Sequence, residues 1–165
     1  GSTKGWNLGK SDGWLPRFAT FFGCNWAAWK SDLLRIGGFD ERFGPGATTG
    51  ATGQESDAQR RLRKAGRRGR YVSGARVKHR VDAEQLTREW MIRRRERAGR
   101  ELGEMVRATV PRRLRPSAAK LAVALQRLRF RQQTRYDKSM EPFARQWWDR
   151  YRAGALARAM ASDDD

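Results

Sequence analysis

Gly23-Cys24-Asn25, Gly37-Gly38-Phe39-Asp40-Glu41-Arg42-Phe43-Gly44, Gly53-Gln54-Glu55-Ser56-Asp57, Arg61-Leu62-Arg63-Lys64-Ala65-Gly66 and Val77-Lys78-His79 follow one another within residues 22–79, and the reading of the chain turns on them. Just upstream, Phe18-Ala19-Thr20-Phe21-Phe22 is short, apolar and aromatic between Arg17 and Gly23, which predicts a strand buried on both faces. Residues 25–29 predict a second extended piece. Ser31 is placed to cap a short helix over residues 32–36, which Gly37 ends by accepting positive φ. The run Gly44-Pro45-Gly46-Ala47-Thr48-Thr49-Gly50-Ala51-Thr52-Gly53 interrupts both ladders and helices, so it predicts a mobile loop. A helix over residues 54–65 should follow, with acids in its first turn, basic residues in its last and Gly66 as its stop. Tyr71-Val72-Ser73 and Ala75-Arg76-Val77-Lys78 predict paired strands around Gly74, leaving His79 at a strand end.

From Thr87 the pattern turns helical, with Trp90, Met91, Ala98, Leu102 and Met105 on one side and Arg93, Arg97 and Arg100 on another. Pro111 and Pro116 break the chain. Beyond them Ala118, Leu121, Ala122, Leu125 and Leu128 recur at helical spacing, opposite Lys120, Arg127 and Arg131, and predict a second amphipathic helix. A third is expected over residues 141–160, then a frayed acidic tail. The expected divisions are a loop or linker remnant over residues 1–15, a main body over 16–82, a basic helix over 83–110 and a helical extension over 111–165. There is no internal repeat and no sustained heptad pattern.

A chain of 165 residues suits one ordinary domain or half of a larger one. It opens Gly1-Ser2-Thr3 without an initiator Met, so a processed, tagged or truncated piece is expected. The net charge of +18 and pI near 11.4 imply anionic partners, whether nucleic acid, lipid headgroups or nucleotide diphosphates, without choosing among them. A single cysteine, Cys24, excludes an intramolecular disulfide and agrees with a reducing compartment. No signal peptide and no apolar run long enough to cross a bilayer is present, which predicts a soluble or membrane-surface piece.

Glu55 and Asp57 stand at the expected start of a helix behind a glycine-rich loop. There the helix N-terminus favours carboxylates in their ionised form, and an ionised carboxylate at a cleft edge can serve as general base for a sugar hydroxyl. By position alone, the plain role of complementing the dipole and capping the helix is the favoured reading for both acids. His79, the one histidine, has the chemistry to ligate a divalent metal or meet phosphate, and as a lone histidine it also suits a structural role. The glycine-rich run is not a phosphate-binding loop, since Gln54 and Glu55 stand where Lys and Ser or Thr would be needed. Zinc-cluster and serine-hydrolase patterns are likewise missing.

Taken as an ordered set, these residues resemble the C-terminal, acceptor-side half of the family 2 inverting glycosyltransferases. The family pattern of Gly-x-Asn-x-Ala is matched by Gly23, Asn25 and Ala27, and Gly-Gly-Phe-Asp-Glu by residues 37–41. Its Glu-Asp-x-Asp with Arg-Leu and Ala-Gly corresponds to Gln54, Glu55 and Asp57 with Arg61, Leu62, Ala65 and Gly66, and its strand ending in His to residues 77–79. The resemblance implies an α/β fold: a partial GT-A, Rossmann-like C-terminal half with a few strands, followed by amphipathic basic helices. It makes Glu55 the catalytic base, with Asp57 beside it, and puts Asn25, Trp26 and Gln54 on the acceptor side. It further implies a magnesium or manganese ion, His79 as a metal ligand, and Lys78 and Arg80 at the diphosphate.

Two departures qualify the match. Gln54-Glu55 stands for the usual Glu-Asp, which keeps one carboxylate but lengthens it by a methylene. The family's nucleotide-binding half, with its Asp-x-Asp motif, is expected to be missing from this piece, and Asp163-Asp164-Asp165 is expected to lie in a frayed tail. The piece alone is therefore expected to lack transferase activity. Gln85-Leu86-Thr87-Arg88-Glu89-Trp90 is similar to the Gln-x-x-Arg-Trp of processive members, but Glu89 displaces the Trp, and that role is not carried over.

The expected function is transfer of a sugar from a nucleotide-sugar donor to a sugar or lipid-linked acceptor with inversion, in cell-envelope polysaccharide or glycolipid synthesis. Its expected place is the cytoplasm, peripheral on the inner face of the membrane, where the basic helices would suit an anionic surface. Two alternatives stay open. A basic nucleic-acid-binding module explains the charge but not the ordered residues from Gly23 to His79, and a non-catalytic membrane-associated scaffold is the other.

Overall fold

The structure, a computed structural model, describes residues 9–16, 19–21, 23–78, 80–133 and 141–162, with the backbone alone for residues 129–133. It is 58% helix and 4% strand. The described elements are β1 (Gly13–Trp14), α1 (Lys30–Arg35), α2 (Gln54–Lys64), β2 (Arg70–Tyr71), α3 (Arg88–Thr109), α4 (Arg115–Gln133) and α5 (Glu141–Met160), with 3₁₀ turns at Ala83–Leu86 and Arg112–Leu114. The chain forms two compact units, the first from Gly1–Glu41 and Gly53–Val81, the second from Arg42–Thr52 and Asp82–Asp165.

The α/β, Rossmann-like GT-A expectation is therefore corrected: the described strands form a single two-stranded sheet of β1 antiparallel to β2, with Gly13 opposite Tyr71 and Trp14 opposite Arg70. Phe18 and Phe22 of the expected strand lie outside the described residues, and Ala19, Thr20 and Phe21 between them are not in a ladder. A side chain takes the place of a neighbouring strand. Gln59 of α2 accepts from the Phe21 amide at 2.6 Å and donates to the Phe21 carbonyl at 3.3 Å, while Arg63 donates to the Ala19 carbonyl at 2.7 Å. These bonds meet the Ala19 and Phe21 backbone groups that a partner strand would otherwise meet. The expected pairing of residues 71–73 with 75–78 also fails, because Val72 and Ala75 close a tight turn (Ala75 N–H to Val72 O, 3.1 Å) and Tyr71 pairs with β1 instead.

Where the signals were local, the first unit follows them. Helix α2 starts after Gly53, whose φ of 94° only glycine adopts freely, and stops at Gly66. The Gly66 amide donates to Arg63 and the Arg67 amide to Leu62, which is a Schellman close. Helix α1 ends the same way, Gly37 donating to Leu34 and Gly38 to Leu33, but it begins at Lys30, so Ser31 lies inside it and caps nothing. The buried face of α2 is Ala58, Gln59 and Leu62.

The second unit is built on helices whose backbones touch. A Cβ on Gly99 of α3 would overlap the carbonyl oxygen of Tyr151 on α5, one on Gly154 would overlap that of Glu96, and one on Gly103 would lie 2.5 Å from that of Ala155. Around this crossing lie Leu102, Val123, Trp148, Tyr151 and Ala155, with Val106, Ala119 and Ala159 beyond them. The helix expected from Thr87 begins at Arg88, and Thr87 caps it, its hydroxyl accepting from the Trp90 amide. Pro116 does not break the chain; it sits in the first turn of α4, where its missing N–H costs nothing.

Two polar arrangements are buried in this unit. Glu104 is fully buried and meets Arg158 at 2.7 Å, Arg42 at 2.9 Å and Arg107 at 3.7 Å. The Arg95 guanidinium lies 3.8 Å from the Trp147 ring centre, 4.8 Å from that of Trp148 and 3.9 Å from that of Tyr151. Burial pushes Arg95 down to about 10 and the Tyr151 phenol up to about 12. The Tyr151 hydroxyl donates to Gln126 at 2.5 Å.

The glycine-rich run, expected as a mobile loop, is closed by its own bonds. Gly44 donates to the Ala51 carbonyl at 2.9 Å, and Thr49 donates to Arg42 and accepts from Ala51. Phe43 and Ala51 are buried, and Thr52 reaches Glu101 of α3 at 3.4 Å.

Candidate active site

Helix α2 presents the two candidate acids differently. Asp57 is held by Arg61 at 2.6 Å and Arg60 at 3.8 Å, and Arg61 goes on to donate to the Ile36 carbonyl at 2.6 Å. Its carboxylate therefore ties α2 to the end of α1. Glu55, two residues nearer the N-terminus, is half-buried and has neither hydrogen bond nor ion pair among the described residues. Its carboxylate carbon would lie 3.2 Å from a Cβ on Gly23, with both oxygens at 3.4 Å. The close approach leaves little room for a side chain at position 23. The glycine lets a carboxylate at the start of a helix lie against the backbone of the Gly23-x-Asn25 turn.

Asn25 is fixed by donating from Nδ2 to the Ala75 carbonyl at 2.8 Å. That bond joins the turn beside Glu55 to the segment carrying Lys78 and Arg80, both of which are exposed. Trp26 meets Phe39 edge to face, with ring centres 6.3 Å apart. Gln54 opens α2 and is half-buried. His79 lies outside the described residues. The fold thus brings Gly23, Asn25 and Glu55 together across 32 residues of sequence, a separation counted from 23 to 55, and engages Asp57 in a structural pair.

The described residues do not supply a donor set for the magnesium or manganese that the resemblance implies. No three His, Cys, Asp or Glu among them lie close enough to hold an ion, and the Asp57 carboxylate is taken by arginines. A hard divalent cation needs several oxygen ligands, and Glu55 alone offers one carboxylate.

Three supporting residues escaped the sequence reading. Gln59 and Arg63 hold the backbone leading into Gly23, and their signal was a polar face on α2 turned toward an apolar segment. Asp12 accepts from both the amide and the hydroxyl of Ser73 at 2.8 and 2.9 Å, bonds that hold its carboxyl below the usual range. Nothing local in the sequence marks that contact.

A carboxylate placed this way can accept a proton from a hydroxyl resting against the Gly23 turn. No protein-family model, curated protein or solved structure matches the chain.

Proposed function

We propose that the first unit carries the acceptor side of an inverting glycosyl transfer, with Glu55 as general base. The observation that carries this reading is the Glu55 carboxylate, unpaired among the described residues and laid against Gly23 at the start of α2, beside an Asn25 anchored to Ala75. The reading rests on this local arrangement and on the order of the residues, not on a sheet.

In the proposed reaction an acceptor hydroxyl gives its proton to Glu55 as its oxygen forms a bond to the anomeric carbon of a nucleotide sugar. The bond from that carbon to the diphosphate oxygen breaks on the opposite face, which inverts the centre. Asn25 and Trp26 would position the acceptor. Lys78 and Arg80 would meet the negative charge that grows on the leaving diphosphate. The acceptor class is a sugar or lipid-linked hydroxyl of the cell envelope.

The test is a nucleotide-sugar transfer assay on the full-length product of the gene, comparing the wild type with Glu55→Gln and Asp57→Asn. Loss of a general base lowers turnover by about 10²–10⁴-fold, so Glu55→Gln should fall that far while donor binding persists. Asp57→Asn should chiefly lower stability. Equal turnover in wild type and Glu55→Gln would remove Glu55 from the chemistry.

A further inference from the structure

Helix α4 has two apolar faces, and the second unit covers only one. At roughly 100° per residue, Ala119 and Val123 fall on the side packed against α3 and α5 and are buried. Leu121, Leu125 and Leu128 fall on the opposite side and are 62%, 48% and 55% exposed. The leucines that made α4 look amphipathic in sequence are thus not its packed face. Lys120 and Arg127 are exposed on one side of the helix, about 100° round from Leu121 and Leu128, and the exposed Arg112, Arg113 and half-exposed Leu114 precede the helix. No Asp or Glu occurs anywhere from residue 105 through residue 136.

One exposed leucine asks for no explanation, but a row of three in an acid-free cationic frame has a specific chemistry. We propose that this face of α4 docks on the surface of an anionic phospholipid bilayer. The leucines enter the boundary between headgroups and acyl chains, and Lys120 and Arg127 meet lipid phosphates. No helix among the described residues is long and apolar enough to cross a bilayer, and none is required, because α4 lies in the plane of the surface. A nucleic acid would use the cations alone, since leucine offers neither a stacking ring nor a hydrogen bond to a base. A second copy of the chain would bring like charges face to face. The inference stands on the second unit and is independent of the role of Glu55.

The experiment is co-sedimentation of the full chain with phosphatidylcholine vesicles, with and without phosphatidylglycerol, alongside binding to a single-stranded oligonucleotide and sedimentation of the protein alone. Two variants are compared, Leu121→Ser/Leu125→Ser/Leu128→Ser and Lys120→Glu/Arg127→Glu, each checked for unchanged helix content. The wild type should partition onto the anionic vesicles only. The leucine variant should lose at least about tenfold in partition, given the apolar area it withdraws. The charge variant should lose at least about fivefold per side chain, the factor that corresponds to about 1 kcal/mol for each cation near an anionic surface. Anionic-vesicle binding that survives in the leucine variant, or wild-type protein that ignores such vesicles, overturns the proposal. Tighter binding to the oligonucleotide, lost with the charges but not with the leucines, overturns it in favour of nucleic acid. A dimer that the leucine variant dissolves overturns it in favour of self-association.

Discussion

The two units hold themselves together by different means. In the first, short elements are fastened by side chains bonded to distant backbone: Gln59 to Phe21, Arg63 to Ala19, Arg61 to Ile36, Asn25 to Ala75 and Asp12 to Ser73. Its buried apolar residues on α2 are only Ala58 and Leu62. In the second, long helices meet backbone to backbone at Gly99, Gly103 and Gly154, with tryptophan and tyrosine around the crossing and a buried carboxylate held by three arginines. Directional bonds distribute stability over many small contributions, whereas close packing concentrates it in a few positions.

The sharpest way to break this contrast is at Glu104. Replacing it with Gln removes the charge that three arginines face, and stranding buried charge costs about 3–5 kcal/mol. Urea unfolding of Glu104→Gln, followed by circular dichroism, should show a loss of that size; a loss under about 1 kcal/mol would mean that the arginines find water or other partners.

The corresponding test in the first unit is Gln59→Leu. It removes the two bonds that Gln59 makes to the Phe21 amide and carbonyl at a partly buried site, a cost of about 1–3 kcal/mol. Hydrogen exchange at the Phe21 amide should speed up accordingly. If the global loss equals that of Glu104→Gln, the distinction between the units fails.

The smallest effect sharpens the aromatic site. Burial raises the Tyr151 phenol from 10.0 to about 12, so the folded protein holds that proton more tightly than the unfolded chain does. The stability it contributes is fully present below about pH 10 and is lost as pH rises from about 10 to about 12. An alkaline titration of phenolate absorbance should show a late-ionising tyrosine that disappears in Tyr151→Phe. Ionisation of every tyrosine near pH 10 would place Tyr151 in contact with water.

Much of the helical part was legible in sequence. The starts of α2 and α5 and the Gly66 stop match the structure, as does Glu55 in the first turn of α2. The strands were not legible, because an apolar run such as residues 18–22 says nothing of what meets its backbone. Helix α4 misled for another reason: its sequence carries two apolar faces, and periodicity alone cannot say which one a neighbour covers. In the candidate site, the pairing of Asp57 with Arg61 is a four-residue helical spacing that could have been anticipated. The approach of Glu55 to Gly23 could not.

By itself the sequence determined the glycine stops and the charge along each helix, since these depend on residues adjacent in the chain. Only the tertiary structure decided that Gln59 would replace a strand, that Gly99 and Gly154 would bring two backbones into contact, and that one carboxylate of α2 would be tied up while the other, unpaired among the described residues, lay against Gly23. Those outcomes depend on partners far apart in sequence, whose meeting is set by packing and by the need of every buried polar group for a bond.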